Sequence, residues 1–330
     1  MKKWIPAFRT SPLTFFFSFI FINANAQTNS IDTSGYSQIR GQIKNMDFFI
    51  SIDSTNARNY LKRSYFKDQI GDHNGAIKDL DKVISLTPND YYAYNSRAYS
   101  KDEVGDLDGA IADYNAAIEL NPDFPDAYHG KAEDEYLQSD YQGAIRDFSF
   151  FIALDSTNPD AYCHRGYAEI KTAQYHEAIS DFTKSISLYP KNPKAYNNRG
   201  MAKYFLNDFK GAIADENFAI TLDPDYSQAY TKRGEAKYAL QDSLGAIEDF
   251  NVSIKLDSNE ASVYNNRGLA RLNMKNYAGA LSDFTKSISL NSANPETYYN
   301  RATVYSAIGE KKKMEKDLKI YQLLKSQNKN

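Results

Sequence analysis

The stretch AYNNRGMAKYFLNDFKGAIADENFAITLDP, Ala195–Pro224, decides the fold of this chain. It holds a tyrosine and arginine three apart (Tyr196, Arg199), a Gly-Ala-Ile-x-Asp motif (Gly211 to Asp215) and a closing proline. The motif recurs at Gly75, Gly109, Gly143 and Gly245, and Glu177-Ala178-Ile179 and Gly279-Ala280-Leu281 fill the same slots. The spacing is 34 residues each time, with Lys313 to Asp317 as a degraded eighth instance. A period this strict predicts a stack of identical supersecondary units, each burying its apolar face against its neighbours.

Each unit reads as helix, turn, helix. The first helix begins near a tyrosine, recurring from Tyr60 to Tyr298 at the same period. Gly71-Asp72 and Gly105-Asp106 then supply a residue suited to a helix C-terminus and an N-cap for the next helix. The second helix carries Ala110, Ile111, Tyr114, Ala117, Ile118 and Leu120 at helical spacing and stops at a proline such as Pro122. Upstream, Ile43–Tyr60 (IKNMDFFISIDSTNARNY) echoes Ile145–Tyr162 in the same register, but only the polar stretch 27–35 precedes it. That predicts half a repeat at 37–56, with Met46, Phe49, Ile50 and Ile52 in core slots, capping the first full unit.

The pattern resembles the tetratricopeptide repeat family over residues 57–328, in eight units: 57–90, 91–124, 125–158, 159–192, 193–226, 227–260, 261–294 and 295–328. Length, small residues, aromatics and closing proline fall in the family's slots. Tyrosine stands where the family often has tryptophan, and arginine where it usually has leucine. The resemblance implies an all-α fold, a right-handed superhelical solenoid of antiparallel helix pairs, with first helices lining an inner concave wall.

Residues 1–36 read differently. Lys2, Lys3 and Arg9 precede a short apolar run, Leu13 to Ile22, and Ala24-Asn25-Ala26 forms a small-residue cleavage site. The run is shorter than the roughly 20 residues that span a bilayer. We expect a signal peptide at 1–26 and a flexible linker at 27–36, hence a periplasmic or extracellular protein without an integral membrane span in its mature chain. Cleavage removes three basic residues and no acid, taking the formal net charge from −3 to −6. That argues against nucleic acid, which wants a concentrated basic face. Cys163, the one cysteine, cannot form an intrachain disulfide, so packing must hold the chain.

Comparing repeats internally exposes a polar device. Three residues after each tyrosine comes a basic residue, and sixteen beyond it an aspartate: Arg97 and Asp113, Arg165 and Asp181, Arg199 and Asp215, Arg233 and Asp249, Arg267 and Asp283. We expect a ladder of charge-assisted pairs, within or between units; the alternative is two independently solvated faces. In the half-repeat the two slots fall on Asn29 and Asn45, so acid and base are lost together. Repeat five breaks the apolar pattern with Glu216, which predicts either local exposure or a softer stack there.

No phosphate loop, metal-ligand spacing or nucleophile motif stands out, so neither an enzyme nor a cofactor or metal is expected. His129, Cys163 and His164 come near one another only if neighbouring first helices align. On the wall the resemblance assigns to binding, three rows follow the tyrosine by one, five and eight residues. They include Asn95, Asn197, Asn265 and His129, then Tyr99 and Tyr167, then Tyr136, Tyr204 and Tyr238. Tyrosine offers area with a hydroxyl, and asparagine can bond an extended backbone. No lysine occupies the first row, which disfavours the family's clamp for acidic C-terminal tails. The expected function is a scaffold holding a protein or peptide partner in this groove; a carbohydrate or cell-envelope polymer is the alternative.

Overall fold

A computed structural model describes residues 33–327, and the expected leader and Asn29 lie outside them. Among the described residues there are seventeen helices and no strand. Helix α1 (Thr33–Ile52) is followed by eight pairs. The first four are α2 and α3 (Ala57–Gln69, His73–Leu86), α4 and α5 (Tyr91–Glu103, Leu107–Leu120), α6 and α7 (Pro125–Leu137, Tyr141–Leu154), and α8 and α9 (Pro159–Lys171, Tyr175–Leu188). Then come α10 and α11 (Pro193–Phe205, Phe209–Leu222), α12 and α13 (Ser227–Ala239, Ser243–Leu256), α14 and α15 (Ala261–Asn273, Tyr277–Leu290), and α16 and α17 (Pro295–Ala307, Lys311–Gln327). The chain divides into two compact units at Ser156 and Thr157. Within each unit every helix packs on the next, and first helices also touch their counterparts in the adjacent repeat, as α4 does α6 and α10 does α12.

The Gly-Ala-Ile-x-Asp motif starts the second helix by a specific cap. Asp208 lies just before α11 and accepts from the Gly211 amide at 2.9 Å. A Cβ at Gly211 would sit 2.1 Å from Asp208 Oδ2, so the cap carboxylate occupies the space a side chain would need. Repeat four has Gln174 and Glu177 in these slots, and no side chain caps α9. The turn between helices passes through the left-handed region at Gly71, Gly105 and Gly309, but also at Ser139, Ala173, Asn207, Gln241 and Lys275. Those five carry a Cβ in a conformation costing roughly 1–2 kcal/mol per residue.

Aromatic rings set the distance between paired helices. Phe182, Phe250 and Phe284 are fully buried, and a Cβ at Gly268 would approach the Phe284 ring to 2.6 Å. The bare glycine backbone therefore lets the ring lie flat against the first helix. Alanines at the other contact points, such as Ala178, Ala202, Ala246 and Ala280, are also buried. Close packing of this kind forfeits dispersion energy with even a small gap.

Two expectations at the N-terminus are corrected. Helix begins at Thr33, so 33–36 is helix and not linker. Met46 is buried and Ile50 packs against the Tyr60 cluster, but Phe49 and Ile52 are 47% and 68% exposed. Among the described residues α1 packs chiefly on α2, so its inward stripe is narrower than that of a second helix packed on both sides. Of the two alternatives at Glu216, local exposure is excluded: the residue is 0% exposed.

Candidate functional site

A charged spine runs between first and second helices. In repeat five, Arg199 Nε and Nη2 donate to the two oxygens of Asp215 at 3.0 and 2.6 Å, the bidentate fork. The third arm, Nη1, donates to Thr183 Oγ1 of the preceding repeat at 3.2 Å. Arg233 and Arg267 repeat this geometry on Asp249 and Asp283, with Asn217 and Asn251 as the preceding-repeat acceptors. Arg97 forks onto Asp113 and reaches back to Asp81, and Arg63 does the same with Asp79 and Asp47. Arg165 forks onto Asp181 at 2.7 and 2.8 Å. The aspartates are buried, so each arginine serves as internal counter-ion, and Arg63, Arg97, Arg199, Arg233 and Arg267 also tie their repeat to the one before.

The tyrosine three residues earlier completes the unit. Arg199 lies 5.6 Å from the Tyr196 ring centroid, and six other repeats place arginine over tyrosine at 5.3 to 5.8 Å. Arginine at the family's leucine slot thus still covers an apolar ring while carrying its charge inward.

Sequence reasoning missed a second cation. Lys67, Lys101, Lys203, Lys237 and Arg271 each approach the same aspartate within 2.7–2.8 Å. The signal was present as a basic residue recurring one helical turn after the first. Repeats three and four replace it with Glu135 and Glu169, both buried. Burial first, then the charge of Asp147 or Asp181, pushes these two carboxyls well above the ordinary range.

The residues expected on the binding wall divide. Tyr99, Tyr136, Tyr167, Tyr204 and Tyr238 are half-buried on their first helices. Tyr167 donates to Asn198 Oδ1 at 2.7 Å, and Tyr136 and Tyr204 pack edge-on against Tyr141 and Phe209. Asn265 accepts from Asn300 Nδ2 at 3.0 Å, and His129 meets Phe148 and Phe151 edge-on. Asn95 and Asn197 are corrected: both are buried and cannot meet a partner's backbone. The first row dips between helices, and Asn197 is spent there on Glu216, to which it donates at 2.9 Å. Cys163 is buried against Ser185 Oγ, and burial raises its thiol to about 11, so it offers no thiolate at neutral pH.

A fold of paired helices, stacked at a fixed period and tied by a polar spine, defines a helical repeat scaffold. The repeats are tetratricopeptide repeats: family models of that description match 57–90, 159–192 and 261–294, and a TPR repeat model matches 103–133. No curated protein matches the chain. Among solved structures, a tetratricopeptide repeat protein from Parabacteroides merdae is 18% identical with a TM-score of 0.59, covering 81% of this chain and 98% of that one. A chain of the APC/C hetero-tetramer Cut9-Hcn1 is 17% identical with a TM-score of 0.57, covering 82% of this chain. The match spans about half of that chain's length, 53%. YrrB, described as a TPR protein with an unusual peptide-binding site, is 20% identical with a TM-score of 0.51, covering 60% of this chain and 97% of its own. These likenesses establish the fold, one typical of protein–protein interaction scaffolds. Among the described residues no helix is long and apolar enough to cross a membrane.

Proposed function

We propose that this protein is an exported, non-enzymatic scaffold that holds an extended peptide segment of a protein partner against its first helices. The observation carrying this reading is the half-exposed tyrosines on the first helices, in two rows. Tyr65 and Tyr99 in the first unit and Tyr167 in the second stand five residues after the repeat's tyrosine, and Tyr204 and Tyr238 in the second unit eight after it. Rigid side chains already held by packing lose little freedom on binding, which favours interface tyrosines. Peptide binding by YrrB, on a similar fold, is in keeping with it. Export rests on the basic residues, apolar run and Ala24-Asn25-Ala26 site at the N-terminus.

Immobilised protein starting at Gln27 tests the reading against an envelope fraction. The combined variant Tyr99→Ala, Tyr136→Ala, Tyr167→Ala should lose partner capture while its helical circular dichroism persists. Unchanged capture places the interface elsewhere. Saturable glycan binding with no protein partner favours a carbohydrate binder. Retention of Met1 to Ala26 on the protein recovered outside the cytoplasm removes the cleaved leader.

A further inference from the structure

In repeats two, three, four, six and seven, one slot of the second helix holds Tyr114, Phe148, Phe182, Phe250 or Phe284, each buried against the paired first helix. Repeat five places Glu216 there, also fully buried. A glutamate is shorter than the ring, and its Oε1 lies 2.6 Å from where a Cβ on Gly200 would stand. The unfilled volume forms a cavity of about 100 Å³ between α10 and α12. Met201, Tyr204 and Phe205 form its apolar wall, and Lys232 and Glu235 line it from α12.

The charged groups around it are paired, with one exception. Lys232 Nζ sits 2.9 Å from Glu235 Oε2, and Asn266 donates to the other Glu235 oxygen. Tyr226 donates to Asn197 Oδ1, which turns the Asn197 amide nitrogen toward Glu216 Oε2. Glu216 Oε1 is left buried with no partner. A buried carboxyl oxygen left unmatched is costly where phenylalanine fills the same slot in neighbouring repeats, so it points to a missing ligand.

We propose that this cavity receives one lysine side chain of the bound peptide, its ammonium donating to Glu216 Oε1. This rests on the peptide-binding reading above and assigns it a specificity pocket. The volume suits an unbranched four-carbon stem, which Met201 and Phe205 would cover. Tyr204 and Phe205 bring aromatic rings to the lining, and an aromatic ring attracts a cation over its face. Glu235 is already neutralised by Lys232, so Glu216 is the unpaired acid.

Proton balance follows. In the empty pocket burial, with smaller contributions from Asp215 and Glu235 against Asn197 and Lys232, pushes the Glu216 carboxyl up to about 9. It therefore holds its proton at neutral pH. Binding an ammonium ionises it, and the proton leaves to solvent. Affinity should rise close to tenfold per pH unit from about 6 toward 9, one proton being released per site, and fall again above about 10, where the lysine loses its own proton.

The test uses the chain from Gln27 with its methionine methyls labelled with ¹³C, since Met201 lines the cavity. The probes are Nα-acetyl-lysine N-methylamide and the norleucine analogue, which keeps the stem and lacks the ammonium. The lysine probe should shift the Met201 methyl saturably, and the norleucine probe should bind at least tenfold more weakly. Glu216→Gln should cost at least tenfold in lysine affinity and abolish the pH dependence. Glu216→Phe, which installs the neighbours' residue and should keep the fold, should block the response. Equal binding of the two probes, an unchanged Glu216→Gln variant, or a silent Met201 methyl overturns the proposal. Partner capture with a silent Met201 removes the pocket and leaves the tyrosine face. A lysine-specific Met201 response without partner capture does the reverse.

Discussion

Repeats four and five carry the same fold over opposite electrostatics. In repeat five Asp215 sits between Arg199 at 2.6 Å and Lys203 at 2.7 Å. In repeat four Asp181 has Arg165 at 2.7 Å, and the second cation is replaced by Glu169. Glu169 Oε2 finds no donor among the described residues. Repeat three is built like repeat four, with Lys131 2.9 Å from Asp147 and 3.6 Å from Glu135. The difference teaches that helix geometry is indifferent to the sign of this side chain so long as the extra acid can keep its proton. Five repeats have a spine saturated with counter-charge; repeats three and four put an acid in the second cation's place, and repeat eight puts Tyr305 there.

The largest effect should come from stripping the saturated spine. Asp215→Ala leaves Arg199 and Lys203 facing each other and should cost about 3–5 kcal/mol in urea unfolding. Asp181→Ala should cost less than half of that, since Arg165 can pair with Glu169 and one of two crowded acids is gone. Equal losses in the two repeats would break the comparison.

Filling the slot with phenylalanine at Glu216 or restoring the cation should have the opposite sign. Glu216→Phe should stabilise by about 1–4 kcal/mol at neutral pH, removing a buried polar group and filling its cavity. Glu169→Lys should stabilise by about 1–2 kcal/mol, since a hydrogen bond to a charged group contributes on that order. Thermal melts of both variants measure this, and a destabilising Glu169→Lys would mean the slot cannot seat the longer side chain.

The pH dependence sharpens the contrast. Glu135, Glu169 and Glu216 all have folded-state carboxyls raised above the ordinary value of 4.5. The stability gained from holding those protons is complete below about 4.5 and lost as pH rises through the folded values, which for Glu216 extends the window to about 9. Each such group contributes up to about 1.4 kcal/mol per pH unit within its window. The triple variant Glu135→Gln, Glu169→Gln, Glu216→Gln should match the wild type near pH 4 and exceed it increasingly toward pH 9 in urea midpoint. Parallel curves would show the three acids titrate alike folded and unfolded.

The smallest effect lies in the turns. Ala173→Gly relieves a left-handed residue in repeat four and should add about 0.5–1 kcal/mol. The matching Asn207→Gly in repeat five should add less, because asparagine tolerates that conformation.

The 34-residue register, the helix pairs and the caps were legible in the sequence because they depend on local spacing: a helical period, a cap two or three residues from its amides, a proline at the end. Internal comparison also brought Arg and Asp to notice as a pair of slots. Whether they met within a repeat or between repeats was open, and the fold uses both, forking onto the repeat's own aspartate and reaching back with Nη1. The second cation escaped because its slot changes sign in two repeats and holds Tyr305 in the eighth, and a pattern broken three times in eight reads as surface variation.

Burial was beyond the sequence for a different reason. Asn95 and Asn197 share a helix face with exposed positions, and only the approach of a neighbouring helix decides which of them water reaches. Glu216 carried a charge at a core slot, which read as exposure or softness. The tertiary structure decided otherwise, because packing from α10 and α12 closes over it and Asn197 meets one of its oxygens. Local spacing determined the units; solvent access and charge state followed from what each unit is packed against.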